Sequence, residues 1–160
     1  MNRIPRSLVV VVFVLLAVTA PSATQAPDPA AIGAALAGAP DDAARRRLVD
    51  ANLAWATPEI LAAVLEGASA ADDPEAARRG FVAAVALAER LGDLRRVALA
   101  SERLGFLLFQ QGRLPEAIAA QERGIPAAEA AGDQETLVEL LRFLGAGRRM
   151  RGDAAEAERT

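Results

Sequence analysis

One segment of the chain decides its fold: Gly92–Asp133, with the sequence GDLRRVALASERLGFLLFQQGRLPEAIAAQERGIPAAEAAGD. Its first half, Leu94–Gln111, places large apolar residues at the spacing that lines one face of an α-helix. Gly112 follows this run, and glycine is the residue that most often stands just past the end of a helix. The pattern therefore predicts a helix over about Leu94–Gln111.

The second half of the segment predicts another helix, over about Pro115–Ala131. Proline fits the first turn of a helix, where its missing N–H costs no hydrogen bond, and Gly132 ends the run. Asp133 is then suited to cap the following helix, because its carboxylate can accept a hydrogen bond from a free N–H of the first turn. Pro126 conflicts with this pattern, since proline inside a helix removes a hydrogen bond and clashes with the preceding turn. We expect a kink or an early end near Gly124–Ile125.

The segment recurs along the chain with a period of forty residues. Periods of this length are typical of stacked helical repeats. Together with a helix start at Thr57-Pro58-Glu59, the period predicts an all-α fold of antiparallel helix-pair repeats over 57–160. About two and a half units are expected, the last one incomplete at its C-terminus. The recurring pairs are Gly92-Asp93 with Gly132-Asp133, Leu104-Gly105 with Leu144-Gly145, and Gly112 with Gly152.

The composition excludes several kinds of active site. The chain has no cysteine, histidine or lysine, and so it lacks thiolate nucleophiles, the commonest general base and metal ligand, and Schiff-base chemistry. Its carboxylates are scattered over predicted helix surfaces, with no pair arranged to act as acid and base. The formal net charge of −3 argues against general binding to nucleic acids. We therefore expect a protein that is not an enzyme and that uses no cofactor or metal.

The N-terminus has the pattern of a secretory signal peptide. Arg3 and Arg6 precede the apolar run Leu8–Ala20, which is shorter than the roughly 20 residues of a membrane-spanning helix. Small residues follow and favour cleavage near Ala23 or Ala26, so residues 1–26 are assigned to the signal peptide. The alternative is an uncleaved N-terminal anchor. In both cases the remaining chain is expected to be secreted or periplasmic, and to meet a membrane only through this segment if the segment is not removed.

Two segments are expected between the signal peptide and the repeats. Residues 27–40 are rich in Pro, Ala and Gly and predict a linker with a short helix at Ala30–Ala37. Such a composition buries too little apolar surface to hold one structure alone. Residues 41–56 predict a lead-in helix.

The repeating segment resembles the tetratricopeptide repeat family. In that family the first helix carries Leu-Gly followed by another large residue, and the second helix carries small residues around a large one. Leu104-Gly105 with Leu108, and Ala77 with Phe81, match this pattern. The resemblance covers about 57–160 and implies helix pairs stacked as an α-solenoid. The residues that it assigns to packing within and between repeats are Phe81, Leu104, Gly105, Leu108, Ala117, Leu144, Gly145 and Ala157.

Two residues depart from the family pattern. Ser101 and Gln121 each stand where the family usually has a large aromatic residue.

The resemblance also implies a binding surface. Ligand peptides of the family lie along the concave groove formed by the first helices, so we expect a protein or peptide partner to bind there. Phe106 and Phe109 are the strongest candidates, because neighbouring leucines already supply the core face of their helix and exposed aromatic residues commonly anchor a partner. The alternative is that both rings pack against the adjacent repeat. The groove residues are Leu99, Glu102, Phe106, Phe109, Gln110, Glu139, Arg142, Arg149 and Met150.

Two functions follow from these expectations. The first is a non-catalytic protein-interaction scaffold outside the cytoplasm. The second is the regulatory or sensor arm of a longer enzyme, because a signal peptide, an alanine-rich helical lead and long repeats resemble the N-terminal part of bacterial proteins with a caspase-like CHAT peptidase domain. That domain would lie beyond Thr160. A continuing reading frame with a histidine and a cysteine would favour the second function, and a stable product that ends at Thr160 and binds a partner would favour the first.

Overall fold

The computed structural model describes residues 28–52 and 56–152. Within these ranges the chain is all-helical and contains no strand, so the predicted all-α class is confirmed. The predicted signal peptide, residues 1–26, and the packing residue Ala157 lie outside the described residues. The helices are α1 (Pro29–Gly38), α2 (Asp42–Ala51), α3 (Pro58–Ala70), α4 (Pro74–Leu91), α5 (Leu94–Gln110), α6 (Leu114–Ala131) and α7 (Gln134–Arg151).

The helix ends are fixed by the local signals found in the sequence. The Thr57 Oγ1 accepts a hydrogen bond from the Ile60 N–H at 3.3 Å, and the Asp133 Oδ1 accepts one from the Thr136 N–H at 3.2 Å. At the C-terminal end of α6, Gly132 adopts a φ of 65°, a left-handed conformation that is strained for residues with a side chain. The predicted bounds of α5 and α6 therefore agree with the structure to within one residue.

Successive helices from α3 to α7 pack directly against one another. The connections between α4 and α5 and between α6 and α7 are only two residues long, and such short connections require the joined helices to run antiparallel. α5 is the central helix of the group, because it contacts α4 and α6 and also α7. A single core cluster extends from Ile32 in α1 to Leu140 in α7.

The segment predicted as a linker differs from that expectation in its packing. The short helix expected at Ala30–Ala37 is α1, and its Ile32 and Leu36 are buried in the core. The buried guanidinium of Arg45 donates from Nε to the Leu36 carbonyl at 2.9 Å and from Nη2 to the Ala39 carbonyl at 3.0 Å. The composition of the segment cannot hold a structure alone, but α3 and α4 supply the surface that it covers.

The sequence predicted a kink or an early end near Gly124–Ile125, and of these the early end is wrong because α6 continues through Pro126. Proline removes one hydrogen bond to the preceding turn, yet the helix reaches Ala131. Ala127 and Ala128 follow Pro126 and are both buried in the core cluster. Their packing holds the last turns of α6 in place despite the lost hydrogen bond.

Candidate partner-binding surface

One face of α5 carries most of the predicted groove residues. Leu99, Phe106 and Gln110 follow one another at intervals of seven and four residues, and Arg96 and Arg103 belong to the same face. Such intervals place side chains along one side of a helix. α3 lies beside one half of this face and α7 beside the other half.

α3 and α5 enclose a groove of about 530 Å³, called here the α3–α5 groove. Leu65 and Leu99 are its large apolar residues, and both are half-buried. Arg96 and Arg103 supply cationic groups at its edge, and each holds a neighbouring carboxylate: Arg96 contacts Asp93 at 2.7 Å and Arg103 contacts Glu102 at 3.3 Å. The groove can thus accept an apolar side chain and place polar groups beside it. Its lining consists of Ala62, Leu65, Glu66, Ser69, Ala70, Arg96, Leu99 and Arg103.

The aromatic cluster of Phe106, Phe109 and Phe143 joins α5 to α7. The ring centre of Phe143 lies 4.9 Å from that of Phe106 and 5.7 Å from that of Phe109, both in tilted geometry. These distances are favourable for aromatic pairs. All three rings are half-buried. Phe106 and Phe109 of α5 therefore both contact α7 through Phe143.

Phe143 is the residue of this surface that sequence reasoning missed. It lies four residues after Glu139 and directly after Arg142, both of which were assigned to the groove. Residues four apart share a helix face, so the assignment of Glu139 to the groove could also have placed Phe143 on that surface. The Arg142 guanidinium carbon lies 4.0 Å from the centre of the Phe143 ring, a cation–π contact.

The charges beside the aromatic cluster form a short network. Arg142 pairs with Glu139 at 2.6 Å. The Glu102 side chain is only 13% exposed. Burial raises the pKa of Glu102 above its ordinary value, and the Glu139 carboxylate raises it further, whereas Arg103 and Arg142 lower it. The surface therefore contains one carboxyl group whose charged form is disfavoured.

Three of the predicted groove residues lie apart from both features. Gln110, Arg149 and Met150 are exposed, and Met150 is 64% exposed. None of them lines the α3–α5 groove or belongs to the aromatic cluster. The structure therefore leaves these three outside both the α3–α5 groove and the aromatic cluster. The predicted groove residues that it brings onto one surface are Leu99, Glu102, Phe106, Phe109, Glu139 and Arg142.

With the exception of Ala157, which lies outside the described residues, the residues assigned to packing within and between repeats are buried or pack against buried residues. Phe81 is buried with Ala68 and Ala77, and Leu104 packs against this group. Leu108 and Ala117 are buried together where α5 meets α6, and Leu144 and Gly145 are buried in α7. The Gln121 side chain occupies the space beside Gly105, because a Cβ atom placed on Gly105 would lie 2.2 Å from the Gln121 Nε2.

Neither a metal-binding group of side chains nor a membrane-spanning helix is found in the part of the chain that the structure describes. Residues 28–52 and 56–152 contain no group of three or more acidic, cysteine or histidine side chains that could hold a metal ion. No helix in these ranges is long and apolar enough to cross a membrane. Comparison with protein-family models, with curated proteins and with solved structures found no match to the chain.

Proposed function

We propose that the chain is a non-catalytic scaffold that binds a segment of a partner protein along the face formed by α3, α5 and α7. The α3–α5 groove carries this proposal, because it is an open apolar groove edged by charged side chains. In this proposal the helix pairs stack as a tetratricopeptide-type solenoid, and the groove lies on its concave side. The two-residue connections and the contact between α5 and α7 support the stacking.

The dimensions of the face suit a short extended segment. From Arg96 to Gln110 the face extends over about 20 Å at the helical rise of 1.5 Å per residue. A bound segment of about six extended residues covers this length. Leu65 and Leu99 would hold one aliphatic anchor of the segment, and the ion-paired side chains of Arg96 and Arg103 would place polar groups beside it. The half-buried rings of the aromatic cluster would extend the apolar contact toward α7.

A displayed peptide library tests the proposal for a partner segment of any sequence. Peptides of about twelve residues are selected on the full chain, and their affinities are measured by fluorescence anisotropy. Leu99→Asp places a charge in the groove, and we expect it to weaken the selected peptides by about tenfold or more, as loss of a binding hot spot does.

Leu94→Asp is the matched control. Leu94 is an exposed leucine of the same helix, 44% accessible, and it does not line the α3–α5 groove. The control variant is expected to bind the peptides as the unaltered chain does. Selected peptides that bind both variants with equal affinity would show that the groove is not the binding site.

The scaffold is further proposed to act outside the cytoplasm. Arg3, Arg6 and the apolar run Leu8–Ala20 support this part of the proposal. A fusion of residues 1–26 to alkaline phosphatase, which is active only after export, should be active in bacterial cells. An inactive fusion would remove this part and leave the groove proposal unaffected.

A further inference from the structure

A second concave feature lies on another side of α5, between α4 and α6. This α4–α6 cleft has a volume of about 190 Å³, and Ser101, Leu104 and Leu108 of α5 form part of its lining. Arg113 contacts Glu75 at 3.0 Å and Arg123 contacts Glu89 at 2.5 Å, so ion pairs connect α4 with α6. The cleft shares no lining residue with the α3–α5 groove.

Apart from its charged residues Asp42, Arg46, Arg78, Glu116 and Arg123, the lining of the cleft is aliphatic except at one residue. Val82, Val85, Leu104 and Leu108 line it, and a cavity of roughly 150 Å³ with such walls holds a molecule of benzene. The exception is Ser101, which is 0% exposed and whose Oγ has no hydrogen-bond partner. Buried hydroxyl groups are normally hydrogen-bonded. A ligand that fits this surface therefore has an apolar body of about six carbon atoms and one polar group that reaches Ser101.

The mouth of the cleft carries one arginine without an ion pair. Asp42 and Glu116 lie at the mouth, but Asp42 pairs with Arg45 and Arg78, and Glu116 pairs with Arg113 at 2.5 Å. Arg123, also at the mouth, pairs with Glu89. Arg46 is exposed and forms no ion pair with any residue that the structure describes. Because the other charges at the mouth are matched, Arg46 is the cation available to a ligand.

We propose that the α4–α6 cleft binds a small aliphatic carboxylate that carries a hydroxyl or carbonyl group at its other end. The carboxylate pairs with Arg46 at the mouth, the carbon chain lies against Val82, Val85 and Leu104, and the terminal polar group forms a hydrogen bond with the Ser101 Oγ. The proposal does not depend on the partner-binding function, since it concerns a different surface of α5.

Three probes with the same six-carbon body separate the two polar contacts. They are 6-hydroxyhexanoate, which has both polar ends, hexanoate, which lacks the hydroxyl, and 1,6-hexanediol, which lacks the carboxylate. Each is titrated into the full chain labelled at the valine and leucine methyl groups, and the spectra are followed by NMR. We expect saturable shifts at Val82, Val85 and Leu104, with 6-hydroxyhexanoate binding more tightly than either other probe.

Two variants assign the contacts. Arg46→Gln should lower the affinity for 6-hydroxyhexanoate by about three- to fivefold, the effect of losing one exposed ion pair. It should leave the affinity for 1,6-hexanediol unchanged. Arg47→Gln is the matched control, because Arg47 is also exposed on α2 but does not line the cleft. Ser101→Ala should abolish the preference for 6-hydroxyhexanoate over hexanoate.

Several outcomes would overturn the proposal. Absence of saturable shifts at the cleft methyl groups would show that the cleft is not a site for such ligands. Equal affinity for 6-hydroxyhexanoate and 1,6-hexanediol, or equal effects of Arg46→Gln and Arg47→Gln, would show that no carboxylate is recognised at the mouth. Equal affinity for 6-hydroxyhexanoate and hexanoate in the unaltered chain would exclude the contact with Ser101.

Discussion

Gly80 of α4 lies so close to α3 that it leaves no room for a side chain. A Cβ atom placed on Gly80 would lie 2.6 Å from the Ala68 Cβ and 3.1 Å from the Ala68 Cα, neither of which can move without the helix. Gly67, on α3, is exposed and has no atom within 4 Å of an added Cβ. The two glycines therefore provide a matched pair of sites for the same substitution.

Gly80→Ala is expected to lower the free energy of unfolding by about 1–3 kcal/mol, because the added methyl group forces the two helices apart. Gly67→Ala should raise it by about 0.5–1 kcal/mol, since alanine loses less backbone entropy than glycine inside a helix. Urea unfolding followed by circular dichroism measures both values. Stabilisation by Gly80→Ala would mean that α3 and α4 are not in the close contact described here.

Glu102 makes stability depend on pH in a direction opposite to that of most carboxyl groups. Burial raises its pKa in the folded chain, so the unfolded chain releases this proton at a lower pH than the folded chain. The contribution of Glu102 to stability is therefore complete below its unfolded pKa and is lost as the pH rises through its folded pKa. Arg103, Glu139 and Arg142 are the charged groups that act on it.

Glu102→Gln removes this titration while preserving the shape of the side chain. We expect the variant to be more stable than the unaltered chain at pH 7. The difference should shrink as the pH falls through the raised folded pKa of Glu102, and it should be smallest below about 4, near the unfolded pKa of glutamate. Thermal unfolding of both proteins across this range measures the difference. A difference that does not change with pH would show that Glu102 titrates normally.

Among the features of single residues, contacts between side chains of different helices were predicted least well from the sequence. The packing role of Gly105 followed from the Leu-Gly pattern, but its close contact with Gln121 depends on how far α6 slides along α5. Phe143 was missed for a related reason, because its helical face could be predicted but its contact with two rings of α5 could not. Helical periodicity fixes which residues share a face and does not fix the axial position of one helix against another.

Local sequence signals were sufficient to predict where most of the helices begin and end. Asp93 and Asp133 were predicted as caps, and each accepts a hydrogen bond from an N–H of the first turn that follows. The burial of α1 in the core and the continuation of α6 past Pro126 are the two differences, and in both the surrounding helices outweigh the local sequence. α1 has too few apolar residues to fold alone, and α6 tolerates its proline because the two alanines that follow it are buried.

Asp133 offers a direct measure of what one cap contributes. Its Oδ1 lies 3.2 Å from the Thr136 nitrogen, and its only ion pair among the described residues is a long one, 3.9 Å to Arg95. We expect Asp133→Ala to lower the free energy of unfolding by about 1 kcal/mol. Asp133→Asn keeps an oxygen acceptor at the same place and should lose much less. Equal losses for alanine and asparagine would assign the effect to charge rather than to the hydrogen bond.

For the molecule as a whole, the position of α5 determines where binding can occur. One face of this helix contributes Leu99 to the α3–α5 groove, and another contributes Ser101 and Leu104 to the α4–α6 cleft. The family resemblance predicted the first surface, whereas the sign of the second in the sequence was Ser101, a small residue where the family usually has a large aromatic one. The second arises because Ser101 is small where a large residue would fill the space between α4 and α6.

The shared core predicts that the described helices unfold together. Buried residues from α1 to α7 form one cluster, whereas repeats that are coupled only to their neighbours can unfold separately. Leu140 of α7 is fully buried in that cluster, and Leu140→Ala should lower the free energy of unfolding by about 2–5 kcal/mol. If the core is cooperative, the same variant should speed hydrogen exchange at the Leu61 and Val64 amides of α3, which lie at the other side of the cluster. Val138→Ala, on the same helix at 59% exposure, should change neither measurement. Faster exchange confined to α5, α6 and α7 would show instead that each helix pair depends only on its neighbours.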